Sequence, residues 1–204
     1  DYMSARFSLN IERDILYLGA DINKFNNTKT PKALKQIIMI GNALKVKGIH
    51  EYLSLADCFP ELVFHIVGSG HDLEDKEALF SKYSNVTFHG MLHHEQLRKL
   101  LAEIDLHVLL SKSEGFPKVL IETAASSVPT ISYSHYGALE WINNTVDGII
   151  IDELGQAQSA IKEMLETPKY LQKLAKNAYL MAQRFSWENQ IKNWENVMIK
   201  LGGK

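Results

Sequence analysis

Asp105-Leu106-His107-Val108-Leu109-Leu110-Ser111-Lys112-Ser113-Glu114-Gly115-Phe116-Pro117-Lys118-Val119-Leu120-Ile121-Glu122 is the stretch on which the reading of the fold turns. Its first six residues read as a buried strand. Pro117 predicts a helix beginning there and running through Ala125, because proline has no N–H to lose at the first helical position and its φ is already helical. On that reading the N–H groups of Lys118, Val119 and Leu120 lack intrahelical acceptors. With the positive end of the macrodipole they make an anion site at the carboxyl end of the strand, the edge where open parallel sheets bind ligands. Glu114 lies on the loop before the helix, and Glu122 lies more than a turn inside it, opposite the Leu120/Ile121/Ala124 side. Two acceptors at two distances suit a ligand with phosphate in its middle and hydroxyls at either end. A plainer account makes Lys118 and Glu122 an i,i+4 pair on a solvated face and Glu114 a complement to the helix N-terminus.

The surrounding sequence repeats this strand-then-helix pattern. Gln36–Ile40, Leu62–Val67, Asn85–Phe88, Asp105–Leu110, Pro129–Tyr133 and Gly148–Ile151 read as strands. Helical stripes lie between them: Ile49, Tyr52, Leu53 and Ala56, then Leu97, Leu100, Leu101 and Ile104. Strands apolar on both faces that alternate with helices predict an α/β fold built on a parallel sheet. Helices are expected over Gln156–Glu166, Pro168–Phe185 and Trp187–Leu201. The last carries Trp187, Ile191, Trp194, Met198 and Leu201 along one side, which suits either packing on the sheet or a partner surface. The first thirty residues hold one strand candidate, Ile15–Leu18, and then a polar stretch that reads as a connection arriving from elsewhere.

Composition bounds the function. The chain has 204 residues, 46% of them hydrophobic, enough for a substantial core in one domain or two small ones. A formal net charge of −2 argues against nucleic acid as the main partner. The lone Cys58 excludes an internal disulfide framework, fits a reducing compartment and is expected to be a buried small apolar residue. Without an apolar run near 18 residues or a signal-peptide layout at Asp1–Arg6, the chain reads as soluble and intracellular.

Two other turns attract attention. Gly41-Asn42-Ala43-Leu44-Lys45-Val46-Lys47-Gly48 follows the first core strand and puts Lys45 and Lys47 at the start of the next helix, where cations oppose the macrodipole unless a phosphate lies between. Gly68-Ser69-Gly70 ends the second strand and lets backbone approach a ligand closely. Neither turn carries the dinucleotide fingerprint, so a nicotinamide enzyme is not expected. The eight histidines have no zinc spacing and no Asp-x-Asp pair occurs, so no metal site is expected. Phosphate charge would then be met by helix N-termini and lysines. The absence of a Gly-x-Ser-x-Gly elbow and of a P-loop removes two further enzyme classes.

Together these segments resemble the C-terminal, donor-binding domain of retaining GT-B glycosyltransferases, specifically glycosyltransferase family 4. The likeness extends over nearly the whole chain. Leu18–Phe25 looks like the interdomain linker, Gly41–Gly48 like the first phosphate loop and Val67–Gly70 like the glycine turn. Glu114–Glu122 looks like the paired-glutamate motif, Val128–Glu140 like the strand and turn after it, and Phe185-Ser186-Trp187 like the lead-in to the closing helix. The resemblance implies a Rossmann-like open parallel sheet with flanking helices, divided into a linker (residues 1–30), a nucleotide-sugar-binding domain (31–185) and a closing helix (186–204).

The resemblance also assigns roles. Glu114 contacts the donor sugar hydroxyls near the reacting carbon, Lys47 neutralises the diphosphate in the transition state, and Glu122 accepts from the ribose hydroxyls. Gly115, Phe116, Pro117, Lys118, Val119 and Leu120 hold sugar and diphosphate through their backbone. Gly41, Asn42, Gly68 and Gly70 line the phosphate turns, and the backbone of His89–Leu92, with Met91 and Leu92, borders the base. No cofactor is implied beyond a nucleotide-diphospho-sugar as donor substrate, used without metal. The implied setting is bacterial polysaccharide or glycolipid synthesis in the cytoplasm, with peripheral attachment of a longer protein to the inner face of the membrane left open.

Three positions depart from the family pattern. Asn42 stands where an arginine usually pairs with the phosphate-loop lysine, so a bidentate contact is lost, and Lys45 replaces it only as a point charge. Pro117 and Ser127 stand where glycines are common. Nothing in the sequence corresponds to the family's N-terminal, acceptor-binding domain, so the chain alone is expected to bind a nucleotide sugar weakly and to transfer nothing. Two alternatives remain: a GT-B nucleotide-sugar epimerase, and a degenerate GT-B half acting as an interaction module through the Trp187/Trp194 helix.

Overall fold

A computed structural model describes residues 16–202. Six strands form one sheet: β1 (Gln36–Ile40), β2 (Val63–Val67), β3 (Val86–Phe88), β4 (Leu106–Leu109), β5 (Thr130–Tyr133) and β6 (Ile149–Ile151). Every pairing is parallel, in the order β3-β2-β1-β4-β5-β6. The helices are α1 (Ile49–Cys58), α2 (Lys76–Phe80), α3 (His94–Leu101), α4 (Lys118–Ala125), α5 (Leu154–Glu166), α6 (Pro168–Arg184) and α7 (Trp187–Gly202), with 3-10 turns at Ile22–Phe25 and Ala138–Glu140.

Alternation along each strand explains the continuous apolar runs. Ile37 and Met39 of β1 join a core under α1 and α5, while Ile38 and Ile40 join a second core under α3, α4 and the end of α6. A strand buried on both faces favours apolar side chains throughout, as in parallel sheets generally, and the polar exceptions His65, His107, Thr130 and Ser132 are each hydrogen-bonded. Five of the six strands begin one residue later than the sequence predicts. At three of those starts the preceding residue bonds the neighbouring strand through one backbone group only, and a side chain or proline accounts for the rest: the Asp105 carboxylate accepts the Lys35 and Gln36 N–H groups, the Asn85 amide donates to three carbonyls, and Pro129 has no N–H.

Several expectations are corrected. Leu16–Leu18 form no strand, although Ala20 makes a single bridge to Ser186, and Ile15 lies outside the described residues. Ile104 is buried but follows α3 rather than belonging to it. Cys58 is exposed, its sulfur accepting from Gln158. The stripe on α7 does not pack on the sheet: Ile191, Met198 and Leu201 are exposed, and Gln190 is the buried residue of that helix. α7 is held at its start, where Trp187 lies against Gly19 and the Trp194 indole donates to the Tyr17 carbonyl.

The strand order places the site. The chain runs outward from β1 to β3, returns to lay β4 beside β1, and runs outward the other way to β6. The loops leaving β1 and β4 therefore diverge and open a crevice at the carboxyl edge.

Candidate functional site: the crevice between the loops after β1 and β4

Two loops meet across this crevice. Gly41 donates to the Val67 carbonyl at 2.9 Å, which fixes the loop after β1 against the end of β2. A Cβ on Gly41 would stand 2.7 Å from the Lys47 side chain, so the missing side chain is the space in which the lysine stem lies. Lys47 reaches over it and forms an ion pair with Glu114, on the loop after β4, and Ser111 donates to the same carboxylate oxygen. The pair is 19% and 11% exposed, dry enough for the charges to interact strongly. The cation and carboxylate singled out in the sequence, 67 residues apart, are thus in direct contact.

Glu122 sits in the wall of an adjoining cavity of about 220 Å³, with Gly41, Asn42, Gly68, Met91 and Leu92 among its other lining residues. It does not face open solvent with Lys118, and no Lys118–Glu122 ion pair is present among the described residues. Burial pushes its carboxyl above the usual range, against the pull of His94 and Lys118. The Glu122 carboxyl has no hydrogen-bond partner in the described residues, which leaves both oxygens free for a ligand.

The glycine turn is built for close approach. Gly68 has φ 144° and its Cβ would stand 2.6 Å from the Gly41 carbonyl carbon, while its N–H donates to Gly90 at 2.8 Å. Gly70 has φ 59° and donates to the Asn42 carbonyl. The Asn42 side chain accepts from the Ser69 N–H at 3.3 Å, so this residue ties two turns together.

The start of α4 differs from expectation. Pro117 precedes the helix with φ −78° and ψ 83°, an inverse γ-turn in which Lys118 donates to Phe116 at 2.9 Å, and Leu120 donates to Pro117 at 2.9 Å. Two of the three amides expected to be free are therefore occupied. Phe116 packs edge-on to Trp141, Val119 is partly buried and Leu120 fully so, which leaves Gly115 exposed on the loop.

Lys45 and Lys47 belong to a turn before α1 rather than to the helix, and they part company. Lys45 lines a separate hollow with His50, Glu74 and Asp75. Its N–H and that of Leu44 donate to Asp72 at 2.7 and 2.8 Å. Burial alone would raise the Asp72 carboxyl, but these amides outweigh it and hold it below its ordinary value. Ser127, the third departure, has φ 57°, a left-handed conformation that glycine adopts without cost.

Sequence reasoning missed Ser111, Asp72 and His94, each of which acts through a partner distant in sequence or held by a loop. A larger cavity of about 710 Å³, lined by Thr28, Lys29, Ser127 and Lys176, lies at the opposite edge, where the Lys29 ammonium caps the Leu101 and Ala102 carbonyls. Among the described residues no cluster of three His, Cys, Asp or Glu side chains is placed to hold a metal ion, and no helix is long and apolar enough to cross a membrane.

The same fold occurs in known proteins. The structure superposes on sucrose-phosphate synthase from Thermosynechococcus elongatus with a TM-score of 0.82 at 22% identity, covering 99% of this chain and 56% of that one. It superposes on Anabaena Alr3699/HepE, solved with UDP and glucose, with a TM-score of 0.75 at 20% identity, covering 94% and 57%. These likenesses identify the fold as the C-terminal half of a GT-B glycosyltransferase. In sequence, the chain is 26% identical over 151 residues to the GtfA subunit of a Streptococcus agalactiae UDP-N-acetylglucosamine–peptide N-acetylglucosaminyltransferase, covering 70% of this chain and 30% of that protein. Residues 21–181 match the family described as Glycosyl transferases group 1. The chain, spanning only part of the length of these relatives, belongs to the group 1 glycosyl transferases.

Proposed function

We propose that the chain is the donor-binding part of a retaining glycosyltransferase that moves a hexosyl unit from a nucleotide-diphospho-sugar to a glycan or glycolipid, without metal. The observation that carries this is the meeting of Lys47 and Glu114 across the crevice, beside a cavity in which the Glu122 carboxyl has no hydrogen-bond partner among the described residues. Glu122 accepts from the ribose hydroxyls; its raised pKa reflects burial that a hydroxyl pair would compensate. The diphosphate lies between the Gly41 and Gly68 turns, where missing side chains let backbone come close.

Lys47 exchanges its contact with Glu114 for the diphosphate and stabilises the charge that grows on the leaving nucleotide. Glu114, released from that pair, accepts from the sugar hydroxyls. The acceptor is bound by another domain of a longer protein, so this chain alone binds donor and transfers nothing. The UDP in the HepE structure and the UDP-sugar named for the GtfA relative support a uridine donor.

The test is calorimetric titration without metal of the chain and its Glu122→Ala variant against UDP-, GDP- and ADP-sugars. One nucleotide series is expected to bind, and the variant to weaken it about tenfold, a loss of roughly 1.4 kcal/mol. Binding that is indifferent to Glu122, or no binding by any nucleotide, would refute the assignment.

A further inference from the structure

A second polar side chain stands beside Glu114. Parallel pairing sets Ser132 of β5 against Leu109 of β4, two residues before Ser111. Ser111, just beyond β4, holds the Glu114 carboxylate and Ser132 of β5 is bonded to the Tyr136 hydroxyl, so the ends of adjacent strands carry a carboxylate and a phenol near enough for the charge of one to act on the other. The aromatic contacts make the same connection: the Tyr136 ring lies 6.0 Å from Trp141, and Trp141 lies 6.2 Å from Phe116, two residues after Glu114.

Tyr136 is partly buried, its ring packed against both cores. Burial first, and then the Glu114 charge, push its pKa up to about 12 against the opposing Ser132 bond. A hydroxyl with one bond to Ser132 retains capacity for another. Ser132 can donate either to the Tyr133 carbonyl, at 3.4 Å, or to the Tyr136 oxygen; with the second choice the phenol hydrogen is free, and a phenol that donates and a carboxylate that accepts can together grip one sugar hydroxyl from both sides.

We infer that Tyr136 is a sugar-specificity residue of this site, its hydroxyl anchored on Ser132 and paired with Glu114 to bind a hydroxyl of the donor hexose. The inference rests on the donor-site reading above. A tyrosine present only for packing would lose nothing toward ligands on becoming phenylalanine, and that difference is measurable.

The chain and its Tyr136→Phe and Ser132→Ala variants are titrated with UDP and UDP-glucose, GDP and GDP-mannose, and ADP and ADP-glucose. Within the series that binds, Tyr136→Phe is expected to leave the nucleoside diphosphate within twofold and to weaken the sugar nucleotide about five- to tenfold. Ser132→Ala, which frees the anchor, moves the same ratio in the same direction. Equal weakening of both ligands by Tyr136→Phe, or no change in either, overturns the inference while leaving the donor site standing. Failure of all three nucleoside diphosphates to bind the unaltered chain overturns the donor site and this inference with it.

Discussion

The Lys47–Glu114 pair makes opposite predictions for stability and for binding. At an effective dielectric near 20, charges about 3 Å apart attract by roughly 5 kcal/mol before desolvation is subtracted. Side chains 19% and 11% exposed place the pair between surface bridges and fully buried ones, so the net coupling should be about 1–3 kcal/mol. Lys47→Met leaves the Glu114 carboxylate with only Ser111 as donor and should cost about 2–3 kcal/mol, or roughly 4–12 °C in Tm. The pair Lys47→Met/Glu114→Gln should be less destabilised than the sum of the single variants, because no charge is left buried alone. Binding of UDP without sugar separates the two residues: Lys47→Met weakens it, whereas Glu114→Gln strengthens it about three- to tenfold, since a competing carboxylate is removed. Urea unfolding gives the first set of numbers and calorimetry the second. Additive single-variant costs, or tighter UDP binding by Lys47→Met, would refute the reasoning.

Gly68→Ala drives a Cβ into the Gly41 carbonyl at a φ of 144°, and should cost about 3 kcal/mol or more and abolish nucleotide binding. Gly115→Ala, whose Cβ meets nothing within 4 Å, should stay within about 0.5 kcal/mol; melting scans of the two decide it. Lys29 carries a pH signature: burial lowers its amine to about 8 from 10.5, against the raising influence of Asp105 and Glu103. The unfolded chain then holds this proton more tightly than the fold does. The associated stability is complete above the unfolded pKa and lost as pH falls through about 8. Urea midpoints at about pH 7.5, 8.5 and 9.5 should rise with pH and flatten in Lys29→Met, in a window below the tyrosine titrations. An unaltered slope in that variant would assign it elsewhere.

How far the sequence could be read follows from where each interaction is local. The strands were legible because burial on both faces makes short runs mostly apolar, as in Ile37–Ile40, even where a buried His107 or Ser132 interrupts them. Their starts were not, since Asp105 and Asn85 look like strand residues and act as side-chain caps. α2, five residues long, is too short to show a helical period, and its signal is the Asp75 side chain accepting from Ala78. Within the site, glycines and glutamates were found because their spacing is local. The meeting of Lys47 with Glu114 depends on strand order, and the diversion of Lys45 by Asp72 depends on a loop 27 residues away. Proline at the start of α4 suggested free amides, but the γ-turn it favours consumed one of them.

The placement of the three tryptophans gives the chain two optical reporters. Trp141 is 5% exposed within the aromatic cluster beside the crevice, whereas Trp187 and Trp194 are 37% and 40% exposed on α7. An indole in relaxed water emits at longer wavelength than one among rings, so the blue edge of the emission spectrum follows Trp141 and the red edge follows α7. Iodide quenches the second population first. If α7 peels away before the sheet unfolds, as an element held mainly at one end is prone to do, the red component will shift at lower denaturant than the blue, and a single cuvette will resolve the two events.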